Sequence, residues 1–327
     1  MATDMRSRVL GLVTFALALV GCGGTGVDSS ADGPNGASSS SSGGSSGGSS
    51  SGVADDGGGS TGAAEGEDGG APGSSSSGGS FDSGPVADDA APPAGLDPNV
   101  APGGNFDLSV WELQEPVGSA GAPTTIPSAQ LEGATGYHDT YFFTDPTDGS
   151  MTFWDPENGV TTANSDYPRS ELREMTAAGA AANWMPTGTN TLSATVAVTT
   201  VPDHVCVGQI HLGTGTPAST KPLLELFYYA SGAIVLAIEQ TPAGGNEVQH
   251  TVGTAALGAA WSYVIGLSGN TITLSINGGA AQDFAMSSTF DEEGMYFKAG
   301  DYDQTVGTSA TVGADVHFYA LKIVHAP

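Results

Sequence analysis

Two arginines and two glutamates lie within one short stretch of a chain that has very few positive charges. The stretch covers residues 167–175 and reads Tyr-Pro-Arg-Ser-Glu-Leu-Arg-Glu-Met. Because side chains alternate along a strand, a strand here would place Arg169, Glu171 and Arg173 on one face, with Leu172 turned towards the core. Guanidinium groups form paired hydrogen bonds with carboxylates and phosphates, so the polar face is a candidate anion-binding site.

Two later stretches have the same construction. In residues 207–212, Val-Gly-Gln-Ile-His-Leu, the strand period puts Gln209 and His211 on one face and Ile210 on the other. In residues 295–304, the same period aligns Tyr296, Lys298, Gly300, Tyr302 and Gln304. The sequence therefore predicts three strands that each present one polar face.

The distribution of positive charge supports a common site. The chain has seven Lys and Arg against 35 Asp and Glu, with a formal net charge of −28. Beyond Arg6 and Arg8, the cations are Arg169, Arg173, Lys221, Lys298 and Lys322. Three of these five lie in the polar stretches, which favours a groove that binds an anion. The alternative is a structural network in which Arg169 and Arg173 pair with Glu171 and Glu174.

The elements that must position these residues are strands. Short β-branched or aromatic runs separated by Gly, Asn, Asp and Pro predict strands over 191–201, 223–229, 233–239, 261–267 and 316–324. The alternating segment 271–276 is followed by Asn277-Gly278, a strong hairpin signal. No long stretch has the helical period. The predicted fold is all-β: an antiparallel β-sandwich of jelly-roll type, whose curvature leaves one face open to a ligand.

The N-terminal third has a different composition. Residues 1–22 have a basic start and a short apolar run that ends in Leu-Val-Gly-Cys, which resembles a bacterial lipobox with Cys22 as the lipidated residue. A plain signal peptide is the alternative. Residues 23–104, rich in Ser, Gly, Ala, Asp and Pro, predict a disordered linker, and 105–327 the folded domain. These features predict an exported lipoprotein in the outer membrane or on the cell surface, or a secreted protein. Cys206, among apolar neighbours, is expected to be a buried structural thiol.

The three polar stretches together resemble the motifs of a known family. They resemble, in order, the three signature motifs of polysaccharide lyase family 7, the alginate lyases, and residues 106–114 resemble the opening segment of that family. The likeness covers residues 105–327 and implies a concanavalin-like β-jelly roll. It also implies β-elimination on alginate, with no cofactor and no metal. In that family, isoleucine in Gln-Ile-His accompanies activity on guluronate-containing blocks, so the resemblance also favours such blocks as substrate.

The resemblance also implies roles for individual residues. Arg169 and Gln209 would neutralise the substrate carboxylate, and His211 would act as general base or as another donor. Tyr302 would protonate the leaving oxygen and, for one stereochemistry, also abstract the proton, with nearby cations favouring its phenolate. The other expected substrate-binding residues are Glu171, which would orient the arginines, and Arg173, Lys298, Tyr296 and Gln304.

Two other functions are compatible with this fold class. A non-catalytic carbohydrate-binding module would need donors and aromatic rings but no acid and base. A glycoside hydrolase would need two facing carboxylates, and a strand turns Glu171 and Glu174 to opposite faces. The remaining histidines are expected to be structural: His138, His204, His250, His317 and His325. We expect a monomer with alginate as its partner and no nucleic acid.

Overall fold

The computed structural model of the chain describes residues 95–213 and 221–327. Two antiparallel sheets account for the described strands. In chain order these are β1 (Trp111–Ser119), β2 (Ala122–Ile126), β3 (Phe142–Thr144), β4 (Met151–Pro156), β5 (Ser170–Glu174), β6 (Thr189–Thr200), β7 (His204–Leu212), β8 (Pro222–Tyr229), β9 (Ala233–Ile238), β10 (Val248–Thr254), β11 (Trp261–Ser268), β12 (Thr271–Ile276), β13 (Gln282–Ala285), β14 (Met295–Asp303) and β15 (Gly313–Ala326). Helices α1 (Pro102–Asn105) and α2 (Ser128–Leu131) and a 3₁₀ helix (Ser288–Phe290) complete the described elements.

The two sheets pack face to face. One has eight strands in the order β10-β9-β8-β7-β14-β5-β1-β2, and the other has seven in the order β13-β12-β11-β6-β15-β4-β3. Alternate residues of each sheet point inward and form one apolar core, which includes Trp111, Phe153, Leu172, Phe297 and Phe318. The all-β jelly-roll prediction is confirmed.

Each strand predicted from alternation is present, with ends within three residues of the prediction. The predicted hairpin joins β12 and β13, and its turn has positive φ at both Asn277 (52°) and Gly278 (65°). Gly279 N donates to Ile276 O at 2.9 Å across this turn. An Asn-Gly pair tolerates two successive left-handed residues, which explains why the sequence signal was informative.

The folded part begins earlier than the predicted boundary at residue 104. Leu96 packs against the core, and Ala101 N donates to Ala134 O at 3.0 Å. The Asn105 amide donates to Asp97 O at 2.9 Å, which attaches the segment from residue 95 to the domain. The predicted signal peptide, Cys22 and the linker up to residue 94 lie outside the described residues. None of the described helices is long and apolar enough to cross a bilayer.

Two aspartates of the third stretch face away from its polar side. Asp301 and Asp303 are fully buried, and Asp303 N donates to Asp155 Oδ2 in β4 of the opposite sheet at 3.0 Å. In the described structure, neither carboxylate oxygen of Asp301 has a hydrogen-bond partner. Burial and, next, the Asp155 carboxylate raise the pKa of Asp301 well above its usual range. These carboxylates therefore lie between the sheets and do not make the polar face acidic.

Cys206 is buried as predicted, and burial raises the pKa of its thiol well above the usual range.

Candidate active site

The three polar stretches become neighbouring strands. β14 lies between β7 and β5, so residues distant in sequence come together on the outer face of the eight-stranded sheet. Lys298 in β14 is opposite Gln209 on one side and Arg173 on the other. Tyr296 is opposite His211. Leu172, Ile210 and Phe297 on the same strands point into the core, as the alternation predicted.

A groove of about 430 Å³ runs over this face. Eight of the nine residues predicted for catalysis or substrate binding line it: Arg169, Arg173, Gln209, His211, Tyr296, Lys298, Tyr302 and Gln304. Of the Lys and Arg residues in the described part, only Lys322 lies outside the groove. A domain dominated by acidic residues thus gathers its cations in one depression, which is the electrostatic requirement for binding a polyanion.

Glu171 is the predicted residue that does not line the groove. Its side chain has no solvent exposure, and its carboxylate accepts hydrogen bonds from Gln209 Nε2 at 2.5 Å and from Lys298 Nζ. Arg169 Nη1 lies 3.5 Å from the same carboxylate. The contact with Arg169 agrees with the expected orienting role, but a buried Glu171, grouped from the sequence with the substrate-binding residues, does not itself reach a substrate in the groove. The carboxylate lies beneath the groove, where it contacts three groove residues and balances the charges of Lys298 and Arg169.

Gly300 allows this arrangement. Its φ is +149°, and a Cβ at this position would lie 2.8 Å from Glu171 Cα. The pairing of β14 with β7 also shifts register between Ala299 and Tyr302. Gly300 therefore lets β14 approach β5 closely, and Tyr302 stays on the same face as Lys298, as strand alternation predicted.

Arg173 does not belong to a charge network in the described structure. Its guanidinium carbon lies 4.2 Å from the centre of the Tyr296 ring, a cation–π contact. Glu174 points to the other side of the sheet, where it accepts from Trp184 Nε1 and Phe297 N, each at 2.8 Å. The structural alternative for the four charged residues thus holds for Arg169 with Glu171 but not for Arg173 or Glu174.

His211 presents one ring nitrogen as a base. Its Nδ1 lies 2.9 Å from Leu212 O, and since a carbonyl only accepts, Nδ1 carries the proton. The lone pair of neutral His211 is then on Nε2. Burial, followed by the charge of Lys298, lowers the pKa of His211 to about 3, so the ring is neutral over the range in which most enzymes work.

Tyr302 is held as a phenol. Its hydroxyl lies 3.0 Å from Ser165 Oγ, and the Arg169 guanidinium carbon lies 3.9 Å above its ring centre. Burial raises the pKa of Tyr302, and the charge of Arg169, which acts in the opposite direction, does not outweigh it. The charge of Arg169 acts towards the phenolate, as expected, but the larger effect of burial leaves the pKa of Tyr302 raised, so the hydroxyl is better suited to donate a proton than to accept one.

Lys298 is the most deeply placed cation. Burial and then the charge of Arg169 lower its pKa to about 8, while Glu171 opposes that change. Its ammonium lies 5.8 Å from the centre of the Tyr302 ring. Lys298 therefore contributes positive charge near the floor of the groove at neutral pH.

The remaining lining residues were not predicted as site residues. They are Glu112, Gln114, Thr162, Asn164, Ser165, Tyr167, Lys221, Pro222, Glu225 and Glu239. Glu112 and Gln114 could have been found, because they alternate along β1 opposite Arg173 and Glu171. The loop residues 162–167 follow no strand period and give no such signal. The five histidines expected to be structural lie outside the groove.

In the described residues, no three His, Cys, Asp or Glu side chains are arranged to hold a metal ion. That the protein needs neither a metal nor a cofactor remains a prediction from the sequence.

The chain is similar to known alginate lyases in sequence and in structure. A family model described as alginate lyase matches residues 106–325. An alginate lyase from Klebsiella pneumoniae is 28% identical over 281 residues, which cover 69% of this chain and 91% of that protein. A crystal structure of an alginate lyase from Pseudomonas aeruginosa has a TM-score of 0.61 and 32% identity, and the match covers 67% of this chain and all of that one.

A further solved relative is a variant of the family 7 alginate lyase A1-II′ in complex with a product, GGG. Its TM-score is 0.62 and its identity 34%, over 69% of this chain and all of that chain. The fold and the match define a polysaccharide lyase with a jelly-roll domain. The chain belongs to the alginate lyases of polysaccharide lyase family 7. This membership supports an enzyme and not the non-catalytic binding module considered from the sequence.

Proposed function

We propose that the protein cleaves the 1,4-glycosidic bonds of alginate by β-elimination, with guluronate-containing blocks as its preferred substrate. In this reaction the proton on C5 is removed, a double bond forms between C4 and C5, and the C4–O bond breaks. The departing oxygen receives a proton. The products are a shortened chain and an oligosaccharide with an unsaturated uronate at its new end.

The first task is to make the C5 proton acidic. Its removal beside a carboxylate builds a second negative charge, which must be stabilised in the transition state. Arg169, Gln209 and Lys298 are buried at the floor of the groove and are fixed by Glu171. Donors held in place before the reaction need no reorganisation as charge develops. We assign charge stabilisation to Arg169 and Gln209, with Lys298 and Arg173 binding neighbouring carboxylates.

The second task is proton transfer by two separate groups. The free Nε2 of His211 can take the C5 proton, and the hydroxyl of Tyr302 can protonate the leaving oxygen. In a 4-linked guluronate the C5 proton and the C4 oxygen are on opposite faces of the ring, whereas in mannuronate they are on the same face. An acid and a base on different residues suit the first arrangement, which supports the preference for guluronate.

The observation that carries this proposal is that His211 and Tyr302 line one groove together with four of the five Lys and Arg residues of the described part. The test is ultraviolet absorbance of the unsaturated product during incubation of the full chain with polyguluronate, polymannuronate and polygalacturonate. We expect product from alginate substrates only, fastest from polyguluronate.

The Tyr302→Phe variant should lose about 10²–10⁴-fold in kcat while still binding alginate. Product from polygalacturonate alone would contradict the substrate assignment. If the wild type binds alginate but forms no product, the alternative of a non-catalytic binding module would be favoured.

We further propose that the protein is an exported, monomeric lipoprotein anchored through Cys22 in the outer membrane or at the cell surface. The motif that ends in Cys22 and the Ser/Gly-rich composition of residues 23–94 support this proposal. Expression with a labelled fatty acid should label the wild type and not a Cys22→Ser variant. Equal labelling of both would refute the anchor.

A further inference from the structure

A serine in the loop between β4 and β5, Ser165, contacts the side chains of both Tyr302 and Arg169 in the groove. Ser165 Oγ lies 3.0 Å from the Tyr302 hydroxyl and accepts a hydrogen bond from Arg169 Nη2 at 2.9 Å. It therefore connects the residue suited to protonate the leaving oxygen with the residue suited to bind the substrate carboxylate.

The donors and acceptors around Ser165 Oγ limit the direction of each hydrogen bond. A serine hydroxyl has one proton, and Ser165 Oγ lies 3.0 Å from Tyr167 O, a carbonyl that only accepts. Arg169 Nη2 and Tyr167 N can only donate, and together they occupy both lone pairs of Ser165 Oγ, so its proton has two acceptors within reach, Tyr167 O and the Tyr302 oxygen. The contact with Ser165 therefore does not require the phenolic proton of Tyr302, which stays available for the leaving oxygen of a substrate.

The surrounding contacts fix Ser165 itself. Ser165 N donates to Thr162 O at 3.1 Å, and Tyr167 N lies 3.2 Å from Ser165 Oγ, so the loop closes on its own backbone. The Tyr167 ring meets the Tyr302 ring edge to face, with centroids 6.3 Å apart. The loop thus positions Tyr302 from two directions, through a hydrogen bond and an aromatic contact.

We propose that Ser165 is a positioning residue for the elimination reaction: it holds the Tyr302 hydroxyl and the Arg169 guanidinium in one fixed geometry. This inference depends on the proposed function, because it assigns Ser165 a role in that reaction. Ser165 performs no proton transfer to substrate. Its contribution is to remove the freedom that the Tyr302 hydroxyl and the outer nitrogens of Arg169 would otherwise have in an open groove.

Steady-state kinetics of the full chain on polyguluronate test this role. Ser165→Ala should lower kcat by about tenfold to 10²-fold, since small misplacements of reacting groups have effects of this size. KM should change by less than about twofold, because Arg169, Arg173 and Lys298 still supply the cationic surface. Ser165→Thr retains the oxygen and should keep most of the wild-type kcat.

The matched control is Ser193→Ala, whose hydroxyl lies on β6 in the other sheet, 3.4 Å from Lys322 O. It should behave as the wild type. Thermal unfolding of all variants separates a kinetic effect from loss of the fold. An active wild type whose kcat is unchanged in Ser165→Ala would overturn the inference, and so would a loss confined to KM. A wild type without activity on any alginate would instead refute the proposed function.

Discussion

The guanidinium of Arg169 lies over the ring of Tyr302, with its central carbon 3.9 Å from the ring centre. One outer nitrogen donates to Ser165 Oγ, and the other lies 3.5 Å from the Glu171 carboxylate. A guanidinium has enough donors to lie over an aromatic ring and make both polar contacts at once. This contact joins the charge-stabilising part of the groove to its proton donor.

Replacement of Arg169 by lysine keeps the positive charge but removes the planar fork. We expect Arg169→Lys to lower kcat/KM by about 10²-fold or more, the typical loss when one transition-state donor is removed. Kinetics on polyguluronate measure this loss. The matched control is Lys322→Arg, an exposed cation outside the groove, which should leave kcat/KM unchanged. An Arg169→Lys enzyme with wild-type kinetics would show that charge alone is needed there.

Glu171 supports the groove from below. Its buried carboxylate is the shared partner of Lys298, Gln209 and Arg169. Glu171→Gln leaves two cations without a compensating charge, so we expect destabilisation of about 3–5 kcal/mol, the typical result of removing one partner of a buried pair. Urea unfolding measures this change, with exposed Glu132→Gln as the control. Equal stability of Glu171→Gln and wild type would mean that the carboxylate does not balance these charges.

The sequence predicted much of this site because strand alternation assigns residues to faces. Alternation placed Arg169 and Arg173 outward and Leu172 inward, as the structure has them. Alternation does not show how deeply a side chain is buried, so the burial of Glu171 beneath its neighbours was not predictable. It also does not give strand order, which brings Glu225 of β8 opposite Gln209 of β7.

The positions of loop residues and the net direction of pKa changes could not be predicted from the sequence, for different reasons. Ser165 lies in a loop without periodic pattern, and its position depends on tertiary contacts with Tyr302 and Arg169. The pKa of Tyr302 depends on whether burial or the charge of Arg169 has the larger effect, and only the folded environment decides this.

Glu225 gives the groove a charge that changes near neutral pH. Burial, followed by the charges of Glu247 and Glu171, raises the pKa of Glu225 to about 7. Below that pH the side chain is neutral, and above it the groove gains a negative charge that repels a polyanion. We expect KM of the wild type for alginate to rise between pH 6 and 8, and KM of Glu225→Gln to rise less.

The matched control for Glu225 is Glu292→Gln, an exposed carboxylate outside the groove, which should follow the wild type. Kinetics at constant ionic strength are required, because salt screens repulsion between the enzyme and its substrate. The same KM profile in wild type and Glu225→Gln would contradict the assignment of this carboxylate to the change.

Asp301 predicts a pH dependence of stability. Burial and the nearby Asp155 carboxylate raise its pKa well above the ordinary value of about 4. A raised pKa in the folded state gives stability that is fully present below the unfolded pKa and is lost as pH rises through the folded pKa. Each pH unit in that window removes about 1.4 kcal/mol. The wild type should therefore lose stability from about pH 4 upward.

Asp301→Asn removes one of the buried like charges without changing the size of the side chain. We expect its Tm to match the wild type near pH 4 and to exceed it at pH 7, by about 2–4 °C for each kcal/mol regained. Calorimetric unfolding across this range measures the difference, with exposed Asp283→Asn in β13 as the control. A variant less stable than the wild type at pH 7 would mean that the ionised Asp301 carboxylate stabilises the fold, for instance through a bound cation.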